Sequence, residues 1–415
     1  MRVLIAGGGI GGLTTALSLH EAGIDAVVYE SVRELKELGV GINLLPHAVR
    51  VLSALGLQSA LAATAIETQA LAYYTKHGRP IWREPRGLAA GYQWPQYSIH
   101  RGWLSMILAR TVRERLGANA IRTGHRIAHF EQDDDGVTAH FVDPATGKTI
   151  GGDRGDALVG ADGIHSTIRE LLYPDEGPPR FSGITMWRGV TEQETFLDGR
   201  TMAIAGNWDI RAVVYPISRE AALRGRSLIN WVAEIRDEEK TDWHWEDWDR
   251  QGSKSDFVPA FRDWRFDWLD LPQLFRESDT VFEFPMADRD SLERWSVGRV
   301  TLLGDAAHPM YPSGSNGAAQ AILDAAALPR ALQAEPHVRD ALRAYEAERL
   351  DPTSEIVRLN REFAAERVLR LVDERCPPDC ENIHDYVPLE EMKEIARRYS
   401  LVAGSGRSVV NHRLA

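Results

Sequence analysis

Cysteine is nearly missing from this chain: Cys376 and Cys380 are the two in 415 residues. That excludes a disulfide framework and fits a reducing, cytoplasmic setting. With His384 they offer three metal ligands around Pro377-Pro378, but no fourth ligand is evident, so no metal is expected. An excess of positive charge is missing too. Lys and Arg number 48 against 60 Asp and Glu, a formal net charge of −12, so nucleic acid and anionic membrane are not expected partners. No apolar run approaches the ~20 residues of a membrane span, so no stable membrane insertion is expected. The apolar start Met1–Ala6 breaks at once into glycines, which reads as a first strand rather than a signal peptide.

What is present is an ordinary globular composition, 44% hydrophobic and 26% charged, long enough for two interleaved domains. Val3–Ala6 reads as a buried strand. Ile10–Ala22 carries helical periodicity through Leu13, Leu17 and Leu19 and stops at Gly23, and Ala26–Glu30 is a second strand. Together they make the β-α-β unit of a parallel sheet. Leu104–Leu116 is predicted as a helix, Ile127–Phe141 as a hairpin turning at Asp133-Asp134-Asp135-Gly136, and Ala157–Val159 as a strand. From Phe181 to Glu234 the pattern changes. Ile184–Trp187, Ala212–Tyr215 and Leu228–Val232 are rich in aromatic and β-branched residues and predict an antiparallel sheet. The first pattern returns from Val281 to Leu328. Val338–Val372 is predicted as mostly long helix broken at Pro352, and the tail after Cys376 carries no motif.

Two motifs carry chemistry. Gly7-Gly8-Gly9-Ile10-Gly11-Gly12 holds G-x-G-x-x-G: Gly7 for the tight turn, Gly9 for close approach of backbone to a pyrophosphate, and Gly12 for close helix–strand packing. The following helix offers free N–H groups and a positive dipole end to phosphates, and Glu30 ends the second strand where a carboxylate accepts from ribose hydroxyls. Some three hundred residues later Gly304-Asp305-Ala306-Ala307-His308-Pro309 follows the apolar Val300–Leu303 and leads into a small-residue helix at Gly317-Ala318. The pair suggests one long dinucleotide gripped at both ends. A sugar-alcohol middle that needs the Asp305 carboxylate makes it FAD rather than NAD. The helix starting near Gly317 and Ala318 would turn its positive end to the flavin and stabilise negative charge there. Arg101, ahead of the Leu104 helix, is a candidate cation for the cofactor phosphates or ribityl chain. Asp162, in Asp162-Gly163, is a candidate for the cofactor site and equally for capping the next helix, with Arg169 seven residues on.

In this order and spacing the motifs resemble the group A, single-component FAD-dependent aromatic hydroxylases, over about residues 1 to 365. Tyr97–Gly102, Gly183–Val190, Tyr215–Ser218 and Asn316-Gly317-Ala318 are similar to segments of that family's phenazine-carboxylate branch. The resemblance implies an α/β fold. A Rossmann-like FAD-binding domain of the GR2 type, with a parallel sheet, would comprise 1–72, 100–180 and 280–365. An inserted, mainly antiparallel substrate domain would comprise 73–99 and 181–279, with a C-terminal helix and tail at 366–415. It implies FAD as cofactor, transient NADH or NADPH, O2 and a small aromatic substrate, in a monomer or homodimer. The reaction it implies is hydroxylation through a flavin C4a-hydroperoxide, with or without loss of CO2. Asp162 then inherits contact with both FAD and NAD(P)H, Gly41 and Ile127 join Gly7, Gly9, Gly11 and Gly12 as cofactor contacts, and Pro312 matches the proline beside the flavin ring. The family commonly has Gly-Gln-Gly after that proline, where this chain has Ser313-Gly314-Ser315-Asn316-Gly317.

Trp187, Arg188, Tyr215 and Trp231 are the substrate-pocket candidates. Strand residues alternate faces, so Trp187 and Arg188 cannot both point inward, and an inward Arg188 could hold a substrate carboxylate. Tyr311 is a candidate for relaying a proton, as is His308, although packing suits either as well. Asp242–Trp248 lacks the Trp-x-Trp-x-Ile-Pro of flavin halogenases and reads as aromatic packing at the surface. Two other readings stay open: a monooxygenase acting on an antibiotic-like polyketide, and a non-catalytic binding protein on an FAD-type fold.

Overall fold

The computed structural model describes residues 1–237, 250–364, 366–377 and 380–412. The Trp-rich segment Asp242–Trp248 lies outside them.

Five parallel strands form the first sheet, in the order Val300–Leu302, Ala157–Gly160, Arg2–Ala6, Asp25–Glu30, Ile121–Thr123. The three middle strands are buried nearly throughout, which is why their sequences are unbroken apolar runs rather than alternations. Ile10–Glu21 is the first crossover helix. Gly23, at φ +73, lets the chain turn back into the second strand. Against this helix packs Gly317–Ala334, whose buried face is largely alanine (Ala319, Ala325, Ala327), so the two axes come close. A three-stranded antiparallel sheet, Arg126–Gln132, Val137–Val142 and Thr149–Gly155, stands to one side. Its first hairpin turns at Asp133–Gly136, as the sequence predicts. The third strand, Thr-Ile-Gly-Gly-Asp-Arg-Gly, is mostly exposed and carries no alternation to read.

The second large sheet has seven strands: Val281–Asp288, Arg180–Glu194, Arg226–Arg236, Ile210–Pro216, Thr201–Gly206, Ala70–Tyr74 and Pro80–Pro85. All neighbours are antiparallel except Thr201–Gly206 and Ala70–Tyr74. The fold is therefore α/β, a parallel sheet with helices joined to a large, mainly antiparallel sheet and C-terminal helices.

The sheet has two different faces. Trp187, Trp231, Ala212, Val214 and Ala233 point to one side, into an apolar cluster with Phe257, Phe261 and Phe275. Their sequence neighbours Arg188, Val232, Arg211, Val213 and Glu234 point to the other, which is a cavity wall.

The long helix is not broken at Pro352. It runs unbroken from Val338 to Arg361. The Thr353 hydroxyl donates to the carbonyls of Arg349 and Leu350 (2.9 and 3.0 Å), bonding the backbone around the proline, and buried Tyr345, Ile356 and Val357 pin the helix on both sides. The chain turns instead at Phe363, a non-glycine residue at φ +50, before the helix Arg367–Arg375. Beyond Cys376 the motif-free tail contains the helices Leu389–Val402 and Arg407–His412.

Candidate active site

The Gly-rich turn is shaped by contacts that only glycine allows. Gly7 sits at φ +110, and a Cβ there would lie 2.2 Å from the Ala161 carbonyl oxygen. At Gly12 a Cβ would lie 2.0 Å from the Gly7 oxygen, so helix and strand touch through backbone alone. A Cβ on Gly11 would meet Leu303 at 2.8 Å. Gly9 differs, because a Cβ there would meet nothing within 4 Å. The Gly9 backbone faces open space at the mouth of a cleft. Glu30 accepts from the Gly8 amide (2.7 Å) with one oxygen and from the Val32 amide (2.9 Å) with the other, so it braces the turn from behind.

The cleft runs from Gly9, Ile10 and Gly11 along Arg101 and Gly41 to Asp305, Pro312, Gly317 and Ala318. The two motifs, far apart in sequence, meet because their strands flank Ala157–Gly160 in one sheet. Asp305 has no hydrogen-bond partner among the described residues, and its carboxylate opens into the cleft. Surrounding protein raises its pKa, with His308 and Arg101 pulling the other way. Arg101 opens the helix Arg101–Leu116, three residues earlier than the periodicity suggests, and its guanidinium is exposed to the same cleft. Gly41 is pressed against Asn230, whose side-chain oxygen accepts from its amide at 2.6 Å. An unsatisfied carboxylate, a cation, an open glycine backbone and a helix N-terminus along one cleft fit the sugar-alcohol, phosphate and ring portions of FAD.

Behind the Gly304-Asp305 loop lies a network no motif announces. Asp324 is fully buried. It meets His308 Nε2 at 2.6 Å and Arg349 Nε at 2.7 Å, and accepts from the Gly304 amide at 3.0 Å. Burial alone would raise its pKa, but its contacts with His308 and Arg349 hold it down to about 2. His308 thus faces away from the cleft. Arg169, also buried, donates to the carbonyls of Ala306 (3.1 Å) and Ala307 (2.8 Å) and fixes the loop from the opposite side.

A second cavity adjoins the cleft. Asn43, Met186, Arg188, Tyr215, Pro312 and Ser315 line both. Arg188 donates to the Gly41 carbonyl (3.2 Å) and has no carboxylate within 4 Å among the described residues. Burial lowers its pKa, while nearby Tyr215 opposes the shift. Burial likewise pushes Tyr215 up to about 12, against the pull of Arg188. Deeper in, the directly opposed strand residues Arg211 and Glu234 form a buried ion pair at 2.6 Å. The far wall comes from the C-terminal segment, through Glu366, Tyr399 and Ser400.

The remaining candidates lie elsewhere. Trp187 and Trp231 belong to the apolar cluster on the opposite sheet face, where the Trp231 indole donates to Thr191 Oγ1 at 3.1 Å. Ile127 packs in the core of the parallel sheet. Asp162 accepts from Ser166 Oγ (2.5 Å) and the Thr167 amide (2.8 Å), capping the helix Thr167–Leu172, while its neighbours Ala161, Gly163 and Ile164 line the cleft. Tyr311 stacks on Phe363 (5.8 Å between ring centroids) away from both cavities, and burial pushes it up to about 12. Cys376 and Cys380 are free thiols.

Residues 1–360 match the FAD binding domain family, and the chain belongs to it. It is an FAD-dependent aromatic monooxygenase. It is 49% identical over 370 residues to the phenazine 1,6-dicarboxylic acid hydroxylase of Lysobacter antibioticus, covering 88% of this chain and 91% of that protein. To the 3-hydroxybenzoate 6-hydroxylase of Polaromonas naphthalenivorans it is 31% identical, with 90% of each chain covered. Among solved structures, a salicylate hydroxylase substrate complex superimposes with a TM-score of 0.74 at 22% identity, over 100% of this chain and 99% of that one. The Klebsiella pneumoniae protein HpxO, complexed with FAD and uric acid, superimposes with a TM-score of 0.74 at 24% identity, covering 99% and 95%. The non-catalytic reading is set aside.

Proposed function

We propose that this enzyme hydroxylates a planar, fused-ring aromatic carboxylate of the phenazine-carboxylate type, with NADH or NADPH as electron donor. Arg188 carries the proposal: a half-buried guanidinium between the two cavities, with no carboxylate of the described residues within ion-pairing distance. Burying such a charge is costly unless an anion meets it, and a substrate carboxylate supplies two acceptors to its fork of donors. The 49% identity to a hydroxylase of a phenazine dicarboxylic acid supports the same class.

Bound FAD supplies the redox chemistry, taking electrons from NAD(P)H and activating O2 for transfer of one oxygen atom to the ring. The chain's own part is holding and excluding. The Gly7–Gly12 turn and Arg101 would take the phosphates, Asp305 would accept from the ribityl hydroxyls, and the helix starting at Gly317-Ala318 would offset negative charge on the ring system. Pro312 and Ser315, which line both cavities, would stand between the flavin ring and the substrate. Arg188, steadied by the Gly41 carbonyl and Tyr215, orients the substrate by its carboxylate, and Met186, Val213 and Val232 exclude water from its apolar faces.

The test is a screen of phenazine carboxylates, salicylates and hydroxyquinolines for substrate-stimulated NAD(P)H oxidation, with product mass read alongside. A product one oxygen heavier from a phenazine carboxylate is expected. Stimulated oxidation without any such product from the carboxylates would refute the proposal.

A further inference from the structure

The wall between the two cavities is the loop Pro312–Asn316, and it holds an unusual backbone. Gly314 and Ser315 are consecutive residues at φ +65 and +59, and Ser315 has no glycine freedom to spend there. Such a conformation persists only if its surroundings impose it. The restraint comes from the end of the chain. Tyr399, in the helix Leu389–Val402, is nearly buried. Its hydroxyl accepts from Asn316 Nδ2 at 2.9 Å and lies 2.6 Å from Asn360 Oδ1 and 3.1 Å from the Ser313 carbonyl, two acceptors that share its one proton. Asn360 Nδ2 donates to the Tyr311 carbonyl at 3.1 Å, and Glu366 accepts from Ser313 Oγ at 2.5 Å. The ring of Tyr399 also occupies the space beside Gly314, where a Cβ would lie 2.3 Å from its oxygen. One phenol therefore ties residues 313, 314 and 316 together, from a helix beyond the 360 residues that match the family.

We propose that Tyr399 is a positioning residue for oxygen transfer: its hydroxyl fixes the Pro312–Asn316 wall, so that electrons drawn from NAD(P)H end in hydroxylated product rather than in hydrogen peroxide. The coupling part rests on the proposed function, whereas the effect on the cofactor's surroundings does not. The hydroxyl's loss leaves Asn316 Nδ2 with only its longer bond to the Gly314 carbonyl (3.3 Å) and takes the proton from the two oxygens it served, in a wall where sub-ångström placement controls rate.

The test uses the FAD-loaded, full-length enzyme. Tyr399→Phe is expected to keep FAD, to shift the visible flavin absorbance without any substrate, and to release about tenfold more peroxide per product, the worth of one hydrogen bond. Asn316→Ala, which removes the other end of the bond without touching the C-terminal helix, is expected to do the same. Asn411→Ala is the control. It removes two hydrogen bonds that dock the C-terminal segment on residues 91 and 93, away from the loop, and is expected to leave the flavin spectrum unchanged. Parent spectrum and parent coupling in Tyr399→Phe would overturn the proposal, as would an equal spectral shift in Asn411→Ala. If no aromatic acid is hydroxylated by the parent enzyme, the proposed function fails while the substrate-free spectra still decide this one.

Discussion

Gly9 and Gly12 stand three residues apart in one turn and answer to opposite constraints. A side chain at Gly9 has open space before it, so Gly9→Val is expected to fold and to lose FAD, because its methyls occupy the cleft where backbone approaches phosphate. At Gly12 a Cβ would collide with the Gly7 oxygen at 2.0 Å, so Gly12→Ala is expected to cost at least about 2 kcal/mol before any cofactor is considered. The ratio of visible to ultraviolet absorbance, read beside the melting temperature of the flavin-free protein, separates the two outcomes. Asp305→Ala belongs with Gly9→Val, folded and flavin-poor, since the carboxylate makes no hydrogen bond among the described residues that its loss would break. Arg188→Met should raise KM for an aromatic carboxylate by about tenfold to a hundredfold, the worth of a charge-assisted hydrogen bond, and leave KM for the decarboxylated analogue nearly unchanged. At this scale the sequence is eloquent where chemistry demands one residue type. It is silent where geometry chooses between neighbours: that Arg188 and not Trp187 faces the cavity follows from strand register, which no local pattern specifies. Asp324 and Arg349 are equally unannounced, because a buried ion pair on two helices has no spacing rule.

Among the elements, the best-read ones are those whose local pattern and tertiary place agree. The first β-α-β unit and the Asp133–Gly136 hairpin are of this kind. Pro352 shows the opposite. A local breaking signal loses to packing on both sides and to the Thr353 hydroxyl, so the helix continues. The C-terminal helices are expected from the resemblance, but what they do was not legible, because it is side-chain hydrogen bonding to a distant loop rather than a motif. The helix Pro46–Ala54 carries a pH prediction. His47 is buried in it, on the side packed against Gly317–Ala334, with no hydrogen-bond partner for either ring nitrogen among the described residues, and burial, reinforced by Arg349 and Arg50, lowers its pKa to about 3. The unfolded chain then binds a proton below about pH 6.5 that the folded chain refuses. Stability is complete above that pH and falls on acidification, by about 2 kcal/mol from this group by pH 5. Chemical denaturation of the wild type and His47→Leu between pH 7 and 5 checks it, and the variant should lose less stability over that window.

On the scale of the whole molecule, FAD is expected to act as a structural ligand as well as a cofactor. The cleft collects residues from positions 9 to 321, so binding there opposes separation of the elements that form it. At free FAD about a thousandfold above its Kd, linkage adds about 4 kcal/mol. The melting temperature should therefore climb with added FAD in the stripped wild type and stay flat in Gly9→Val. The general plan, a parallel sheet followed by an antiparallel one and a return, could be read from the changing hydrophobic pattern. Which edge of the second sheet pairs with which strand could not, since Ala70–Tyr74 joins it by a parallel contact across 130 residues. The two faces of that sheet have a consequence for descent. Its tryptophans and phenylalanines hold the fold together on one side, and its cavity residues choose the substrate on the other. Selection can rewrite Met186, Val213 or Val232 for a new ring system and leave the aromatic layer behind them unaltered. A lineage built on such a sheet can change what it oxidises many times over without having to learn again how to fold.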